Sequence, residues 1–325
     1  MKKIFVTGGA GYVGSELIPF FLKKGYQVTS YDLMIYGNTL KKHPNLKIIK
    51  GDIRNQKLLD KSIVKHDILI HLACISNDPS FELDKKLGKE INLDSFNFLV
   101  KSAKKHKVKR FIYASSASVY GVKKQKDVYE NASLTPLTDY SRFKIKCEKI
   151  LNKYSSKKFI TTSLRPATLC GCSKRLRLDL AVNLLTNQAF HKKEMTILGG
   201  DQLRPNLHIK DMIRAYECII NADENLVNGE AFNVGFQNIS IKQISRNIKK
   251  IIGKNVNVKK VKSNDNRSYH ISSLKIKKKL NFKPIFTISD AITDLKKAFE
   301  KKIYKDPLNN QFYFNIKRMQ KIGLK

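Results

Sequence analysis

The chain has 325 residues, and 42% of them are hydrophobic, which is enough to bury a sizeable core and excludes global disorder. No apolar run approaches the roughly 20 residues that span a bilayer, and the short run after Met1 leads straight into glycines, which excludes a signal peptide and predicts a cytoplasmic protein without a membrane segment. The formal net charge of +36 could attract a polyanion, but the lysines are scattered along the whole chain, which favours a solvated surface and predicts no nucleic-acid partner.

Short apolar runs alternate with helical patterns over the first half of the chain. Helices are predicted from Ser15 to about Gly25, over 96–103 and over 137–154. Strands are predicted at 3–7, 27–32, 46–50, 67–73, 110–114 and 160–165. The alternation predicts an α/β fold with a doubly wound parallel sheet of the Rossmann type, which binds its ligand at the carboxyl ends of the strands.

The second half of the chain is less regular. The segment 166–207 is predicted to be loop-rich with one helix near 178–190, and it is followed by a helix over 208–220. Residues 231–234 could return to the sheet. Further helices are predicted near 241–252, 274–280 and 288–302. We therefore predict a Rossmann domain of residues 1–165 plus about 208–236, and a smaller α/β cap of about 166–207 plus 237–325.

A glycine-rich turn separates the first strand from the first helix. Gly8 allows the turn, Gly11 lets the backbone approach a pyrophosphate, and Gly14 lets the helix pack on the strand. The carboxylate of Asp32 can accept hydrogen bonds from both ribose hydroxyls and would repel a 2′-phosphate, which predicts NAD rather than NADP. A structural turn followed by a helix-capping Asp is the alternative. Asp52 could bond the adenine amino group, or it is a plain turn residue.

Tyr140 and Lys144 lie four residues apart on a predicted helix, so they share one face. A free tyrosine has a pKa of about 10, and making its phenolate available near pH 7 takes roughly 4 kcal/mol, which a nearby ammonium and the positive nicotinamide of NAD⁺ can supply. Tyr140 could then take a proton from a substrate hydroxyl. Ser116 follows the fifth strand, and its hydroxyl could bond the reacting oxygen. A surface Tyr–Lys pair that matches by chance is the alternative.

The cysteines and one histidine are interpreted as structural. The five cysteines have irregular spacing, and the pair Cys170 and Cys172 has no second Cys or His pair at ligand spacing, so free thiols and no metal site are expected. His208 is interpreted as a buried, hydrogen-bonded residue rather than a base.

Ten segments, taken together and in order, give the chain a resemblance to the extended short-chain dehydrogenase/reductases, the NAD-dependent epimerase/dehydratase family. They are 7–14, 32–33, 51–53, 71–73, Asn92, 115–121, 140–144, 164–168, 207–211 and 232–235. The resemblance implies a Rossmann domain with an intertwined substrate cap, a tightly retained NAD, and a homodimer formed through the helix that carries Tyr140. The cofactor-binding residues expected from the motifs and the resemblance are Gly8, Gly11, Tyr12, Val13, Gly14, Asp32, Asp52, Ile53, Leu72, Ala73, Asn92, Tyr140, Lys144 and Pro166.

The resemblance also bears on the substrate. The dehydratases of the family carry acidic residues after the fifth strand, whereas this chain has Ser116-Ala117-Ser118, which argues against dehydration and is similar to the UDP-glucose 4-epimerases. The stretch 173–180 departs from those epimerases and is similar to a branch that includes heptose dehydrogenases, so the sugar stays open. For a nucleotide-diphosphate sugar, the expected binding residues are Ser118, Thr168, Arg204 and Arg267, with Arg175 and Arg177 as weaker candidates.

These observations predict an NAD-dependent nucleotide-sugar epimerase that acts through a transient keto-sugar, with C4 as the expected carbon. A net dehydrogenase or reductase using the same Ser116, Tyr140 and Lys144 is the alternative. A non-catalytic NAD sensor or RNA-binding protein is a third interpretation, but such a protein has no need of those three residues.

Overall fold

A computed structural model describes residues 2–123, 125, 127–262 and 270–323, so the predicted substrate residue Arg267 lies outside the described residues. The strands of the described residues are β1 Lys3–Thr7, β2 Gln27–Asp32, β3 Leu46–Lys50, β4 Ile68–His71, β5 Arg110–Ala114, β6 Ile160–Pro166, β7 Thr168–Cys170, β8 Glu194–Leu198, β9 Leu203–His208, β10 Glu230–Val234, β11 Gln237–Ser240 and β12 Asn257–Val261.

The helices of the described residues are α1 Gly14–Lys23, α2 Gln56–Ile63, α3 Asp78–Phe81, α4 Lys85–Lys89, α5 Ser95–Lys105, α6 Asp139–Tyr154, α7 Ala181–Lys192, α8 Ile209–Asn221, α9 Glu224–Val227, α10 Ile241–Ile252, α11 Leu274–Leu280, α12 Ile288–Glu300 and α13 Asn315–Ile322. A π-helical turn joins α4 to α5, and a 3₁₀ turn follows β5. No helix in the described parts of the chain is long and apolar enough to cross a membrane.

Seven parallel strands form the main sheet, in the order β10-β6-β5-β4-β1-β2-β3. The chain runs outward from β1 to β3 and then resumes on the other side of β1 with β4. This order confirms the predicted doubly wound Rossmann-type fold. It also leaves a crevice at the carboxyl ends of β1 and β4, which is the place where such sheets bind ligands.

Both faces of the main sheet are buried. Along β1, Ile4 and Val6 pack into one apolar cluster with residues of α1 and α8, whereas Phe5 between them packs into the other with residues of α2, α5 and α6. Successive side chains of a strand point to opposite faces, so this alternation requires helices on both sides of the sheet.

A further set of elements, which we call the cap unit, forms small sheets that are separate from the main sheet. It contains the three-stranded sheet β11-β9-β7, the pair β12-β8, and an apolar cluster of its own formed by residues of α7, α10 and α12. The prediction of a loop-rich segment with one helix over 166–207 missed β7, β8 and β9. β9 contains Pro205 and Asn206, which are residues disfavoured in strands, so its sequence gave little strand signal.

The helix that carries Tyr140 and Lys144 begins two residues later than predicted. Thr138 is its N-cap, because its side chain accepts a hydrogen bond from the backbone N–H of Ser141. Tyr140 therefore lies in the first turn, directly beside the carboxyl edge of the sheet.

Candidate active site

One cleft at the carboxyl edge of the sheet contains most of the predicted site. The residues expected to bind the cofactor that line it are Gly8, Gly11, Tyr12, Val13, Gly14, Asp32, Asp52, Ile53, Leu72, Ala73, Tyr140, Lys144 and Pro166. Ser116, Ser118 and Thr168 line the same cleft. The structure therefore brings the glycine turn and the Ser–Tyr–Lys set to the lining of a single space, which we call the dinucleotide cleft.

The glycine turn has no room for a side chain at two of its positions. Gly8 has a φ of +75°, and a Cβ there would lie 2.6 Å from the backbone nitrogen of Ala73, so neither the turn nor the segment that follows β4 could keep its place with a larger residue. At Gly14 a Cβ would lie 2.5 Å from the carbonyl oxygens of Gly8 and Gly9. The turn delivers the N-terminus of α1 to the cleft, where its positive end favours phosphate.

The carboxylate of Asp32 accepts two hydrogen bonds from the backbone and can accept more. One carboxylate oxygen accepts the N–H of Ala10 at 3.0 Å, and the other accepts the N–H of Met34 at 2.6 Å. Burial raises the pKa of Asp32, and these two hydrogen bonds oppose the rise. Each oxygen of a carboxylate can accept a second hydrogen bond, so two ribose hydroxyls fit this side chain.

Asp52 is bound to Arg54. The guanidinium of Arg54 donates to both carboxylate oxygens of Asp52, and the Nη2–Oδ2 distance is 2.8 Å. Burial would raise the pKa of Asp52, but the hydrogen bonds from Arg54 outweigh it and hold the pKa below its usual value. The carboxylate still lines the cleft, and its contact with adenine stays a prediction.

Tyr140 and Lys144 meet on the inner face of α6. The Nζ atom of Lys144 lies 5.5 Å from the centre of the Tyr140 ring and 4.9 Å from that of Tyr113, and it donates to the carbonyl oxygen of Ala114 at 2.7 Å. Lys144 is 4% exposed, so its charge acts on the ring with little screening by water. Burial, together with Lys144, lowers the pKa of His71 beneath them to about 3, so that ring is neutral.

Ser116 begins a chain of hydrogen-bonded hydroxyls. Its Oγ lies 2.9 Å from Ser118 Oγ, which lies 2.8 Å from Ser141 Oγ. Ser141 Oγ lies 3.1 Å from Thr138 Oγ1, and Thr138 donates to the carboxylate of Asp78 at 2.5 Å. The chain links the predicted catalytic serine to a carboxylate that lines the same cleft. Sequence reasoning missed Asp78, because only the fold brings α3 next to α6.

The backbone just before Asp78 is strained. Asn77 has φ +77° and ψ +156°, a region that is almost restricted to glycine, and such a residue costs on the order of 1–3 kcal/mol. Its side chain accepts the N–H of Ser80 and so caps α3. Strain of this kind persists where the surrounding structure over-determines it, and here it holds Asp78 toward the cleft.

A buried ion pair supports the loop after β5. Arg165 and Glu148 are joined through two hydrogen bonds, of 3.0 and 2.7 Å, and their side chains are 6% and 7% exposed. Ser115 donates to the same carboxylate, and Tyr120 donates to Asn233 while accepting from Arg165. Ser115 and Tyr120, which precede and follow Ser116 in the sequence, are therefore held in place by this buried network.

The four other predicted residues divide between the back of the cleft wall, a second cleft and the dinucleotide cleft itself. The amide of Asn92 lies behind the cleft wall rather than on it, because the π-helical turn aims it at the backbone of Ile75, to which it makes two hydrogen bonds. Arg204 lines a second cleft, which shares Ser118 and Thr168 with the first and which we call the cap cleft. Arg175 and Arg177 were weak candidates for the substrate diphosphate, but they line the dinucleotide cleft.

The next residues are His208 and the cysteines, which were interpreted as structural from the sequence. His208 is buried and accepts the N–H of Lys210 at 3.1 Å, and burial lowers its pKa. The five cysteines are free thiols. Within the described ranges no group of three or more His, Cys, Asp or Glu side chains could hold a metal ion.

A family model described as the NAD dependent epimerase/dehydratase family matches residues 4–235. That stretch covers the main sheet apart from Lys3, and every element that lines the dinucleotide cleft except the helix α13.

Curated relatives carry both epimerase and dehydratase names. A Bacillus subtilis (strain 168) protein named as an uncharacterised UDP-glucose epimerase is 29% identical over 314 residues, 90% of this chain and 96% of that one. A UDP-glucose 4-epimerase of Lactobacillus helveticus is 26% identical over 76% of this chain and 81% of its own length. A dTDP-D-glucose 4,6-dehydratase of Dictyostelium discoideum is 30% identical over 72% of this chain, and the match spans 58% of that protein.

Solved structures share the fold. A UDP-glucose 4-epimerase of Thermotoga maritima, solved with UDP-glucose, has a TM-score of 0.85 at 21% identity and covers 93% of this chain and 100% of its own. A dTDP-glucose 4,6-dehydratase of Streptomyces venezuelae, solved with NAD, also has a TM-score of 0.85, at 20% identity over 94% of this chain and 100% of its own.

Proposed function

The chain belongs to the NAD-dependent epimerase/dehydratase family, whose cofactor is NAD, and on that premise we propose that it epimerises a nucleotide-diphosphate sugar at C4. One observation carries the proposal: Ser116, Tyr140 and Lys144 line the same cleft as the glycine turn and Asp32, and that cleft adjoins the cap cleft. The spare acceptor capacity of Asp32 and the tight glycine turn fit the dinucleotide.

Each residue has a defined part in the reaction. Tyr140 accepts the proton of the reacting hydroxyl, because the ammonium of Lys144 stabilises its phenolate, and Ser116 hydrogen bonds the same oxygen. When bound, NAD would supply a reversible acceptor for the hydride of the sugar carbon. The keto-sugar rotates so that the other face of its carbonyl carbon receives the hydride, and Tyr140 returns the proton to the carbonyl oxygen.

The cap cleft is the proposed place for the rest of the substrate. Thr168 and Ser118 lie where the two clefts meet, and Arg204 lies further out on β9. A guanidinium at this position suits a diphosphate, because its planar fork can donate two parallel hydrogen bonds to phosphate oxygens.

Incubation of the purified protein with UDP-, GDP- and dTDP-sugars tests the reaction. Products are identified by NMR, and absorbance of the reduced cofactor is followed in parallel. Epimer formation without net reduction of NAD is the expected result, and Tyr140→Phe should abolish it. Stoichiometric NADH without an epimer would contradict epimerisation and favour the alternative, a nucleotide-sugar dehydrogenase.

A second candidate reaction is elimination of water, and Asp78 favours it. The sequence argument against dehydration rested on the missing carboxylate after β5, but the hydroxyl chain connects Ser116 to the carboxylate of Asp78 on α3. This carboxylate could act as the acid or base that elimination needs. A product lighter by one water, formed by the wild type and lost in Asp78→Asn, would support dehydration over epimerisation.

We also propose that the chain forms a homodimer through α6. Size-exclusion chromatography with light scattering, giving twice the mass of 37.3 kDa, is the expected result. A mass of one chain at micromolar concentration would refute it.

A further inference from the structure

The segment 173–179 crosses from the cap unit onto the start of α1. Ser173 Oγ lies 2.7 Å from Ser15 Oγ, and the N–H of Arg175 donates to the same Ser15 oxygen at 3.2 Å. The N–H of Lys174 donates to Glu16 at 2.8 Å. The backbone of this segment is therefore fixed against the helix N-terminus that the glycine turn delivers to the dinucleotide cleft.

The side chain of Arg175 lies inside that cleft. It is 3% exposed, and its guanidinium carbon stacks 3.9 Å from the centre of the Tyr36 ring. Burial lowers its pKa to about 10, so the side chain is still charged at neutral pH. Within the described part of the chain, no carboxylate forms an ion pair with Arg175, and its Nε–H has no hydrogen-bond partner.

The C-terminal helix holds this arginine. Asn315, the first residue of α13, accepts a hydrogen bond from Arg175 Nη2 at 2.5 Å and donates to Ser76 at 3.0 Å. Its backbone N–H donates to Asp179 at 3.2 Å, and Asp179 in turn accepts from Arg177 at 2.6 Å. Asn315 is 2% exposed. The segment 173–179 and α13 thus form one connected wall of the cleft.

The Arg175 guanidinium has no carboxylate in direct contact, although the charges of Asp179 and Asp32 act on it from a greater distance. A buried guanidinium that lacks a directly paired counter-charge is costly, and buried charges in proteins are normally paired. Asp179 is engaged by Arg177, and Asp32 already accepts two backbone N–H groups. An anion at the start of α1 would satisfy both the unpaired Nε–H and the positive end of the helix.

We propose that Arg175 binds the pyrophosphate of the dinucleotide and that Asn315, by fixing Arg175, makes the C-terminal helix a strap that retains the cofactor. This inference goes beyond the proposed reaction, because it rests only on the family's cofactor. It adds a positive charge to the phosphate site of the glycine turn, and that charge comes from a residue 160 positions beyond Ser15 in the sequence.

Nucleotide binding without turnover tests it. NADH and NADPH fluorescence titrations, displacement of NADH by ADP-ribose or adenosine, and NADH release rates are measured for the wild type, Arg175→Met, Arg175→Lys and Asn315→Ala. Arg246→Met, which changes an exposed arginine of α10, is the matched control. Arg175→Met should weaken NADH and ADP-ribose by about 10-fold to 100-fold, the loss of one or two charged hydrogen bonds, and leave adenosine binding unchanged. Arg175→Lys should lose less NADH affinity than Arg175→Met, and Asn315→Ala should chiefly raise the rate of NADH release.

Three results would overturn the proposal. NADH affinity within about twofold of wild type in Arg175→Met would show that no phosphate is bound there. If adenosine binding weakened as much as NADH binding, Arg175 would support the shape of the cleft rather than bind phosphate, because adenosine has no phosphate. Loss confined to NADPH would assign it to a 2′-phosphate. Arg175→Lys keeps the charge, so it supplies the measurement if the Met variant does not fold. None of these readings depends on which sugar is turned over.

Discussion

Lys144→Met removes the positive charge that faces Tyr140 and keeps most of the length of the side chain. The Nζ atom lies 5.5 Å from the ring centre. With the phenolate charge placed at that centre and an effective dielectric constant of about 20, Coulomb's law gives about 3 kcal/mol. Since about 1.4 kcal/mol corresponds to a factor of ten, the ratio of phenolate to phenol at a fixed pH should fall by about 150-fold.

The direction of the change in the pKa of Tyr140 follows from the positive charge of Lys144. A cation favours the charged phenolate and so lowers the pKa of the phenol, and its removal must therefore raise that pKa. Turnover of the variant should fall by about two orders of magnitude at neutral pH and recover as the pH rises, because the phenolate then forms without help.

Ultraviolet difference titration measures the effect without a substrate. The spectrum of Tyr140→Phe is subtracted from that of the wild type at each pH, which isolates one phenol from the other tyrosines. The same subtraction in the Lys144→Met background should place the titration at higher pH. Lys146→Met, an exposed lysine of the same helix, is the control and should leave it in place. Titration of Tyr140 at the same pH with and without Lys144 would refute the reasoning.

Three further predictions concern the cofactor, the chemistry and the fold. Tyr140→Phe should lower turnover by at least about 100-fold while NAD stays bound, and near-normal turnover would refute its role as base. Asp32→Ala should reduce the preference for NAD over NADP, measured as a ratio of affinities, and an unchanged ratio would count against Asp32. Arg165→Met should lower the free energy of unfolding in urea by about 3–5 kcal/mol, because it leaves the Glu148 carboxylate buried without its partner. The same change at the half-exposed Arg142 should cost about 0–1 kcal/mol, and similar losses at both sites would contradict the argument.

The features predicted well are those encoded by neighbours in sequence. The glycine turn lies within one strand-to-helix connection, and Tyr140 and Lys144 lie one helical turn apart, so local spacing is enough to propose both. The alternation of strands and helices likewise predicts the topology of the main sheet. Crossover connections between parallel strands are nearly always right-handed, which leaves few possible strand orders.

The features that were missed depend on contacts between distant segments. Asp78 is linked to Ser116 through the side chains of Ser118, Ser141 and Thr138, and Arg175 meets Asn315 at a separation of 140 residues. The strained backbone of Asn77 has no local signature, since Asn is tolerated in turns of many kinds. In the cap unit, strands as short as Thr168–Cys170 are too brief for a periodic pattern.

The placement of β10 has a consequence for biosynthesis. This strand pairs in parallel with β6 and completes the main sheet, yet it leaves the ribosome only after β7, β8 and β9 have been made. Until then β6 has an open edge, and an open edge can pair with another nascent chain. Translation that stalls before Glu230 should therefore yield an aggregation-prone product, and the nucleotide-binding half cannot be excised by truncating the gene at the end of β6.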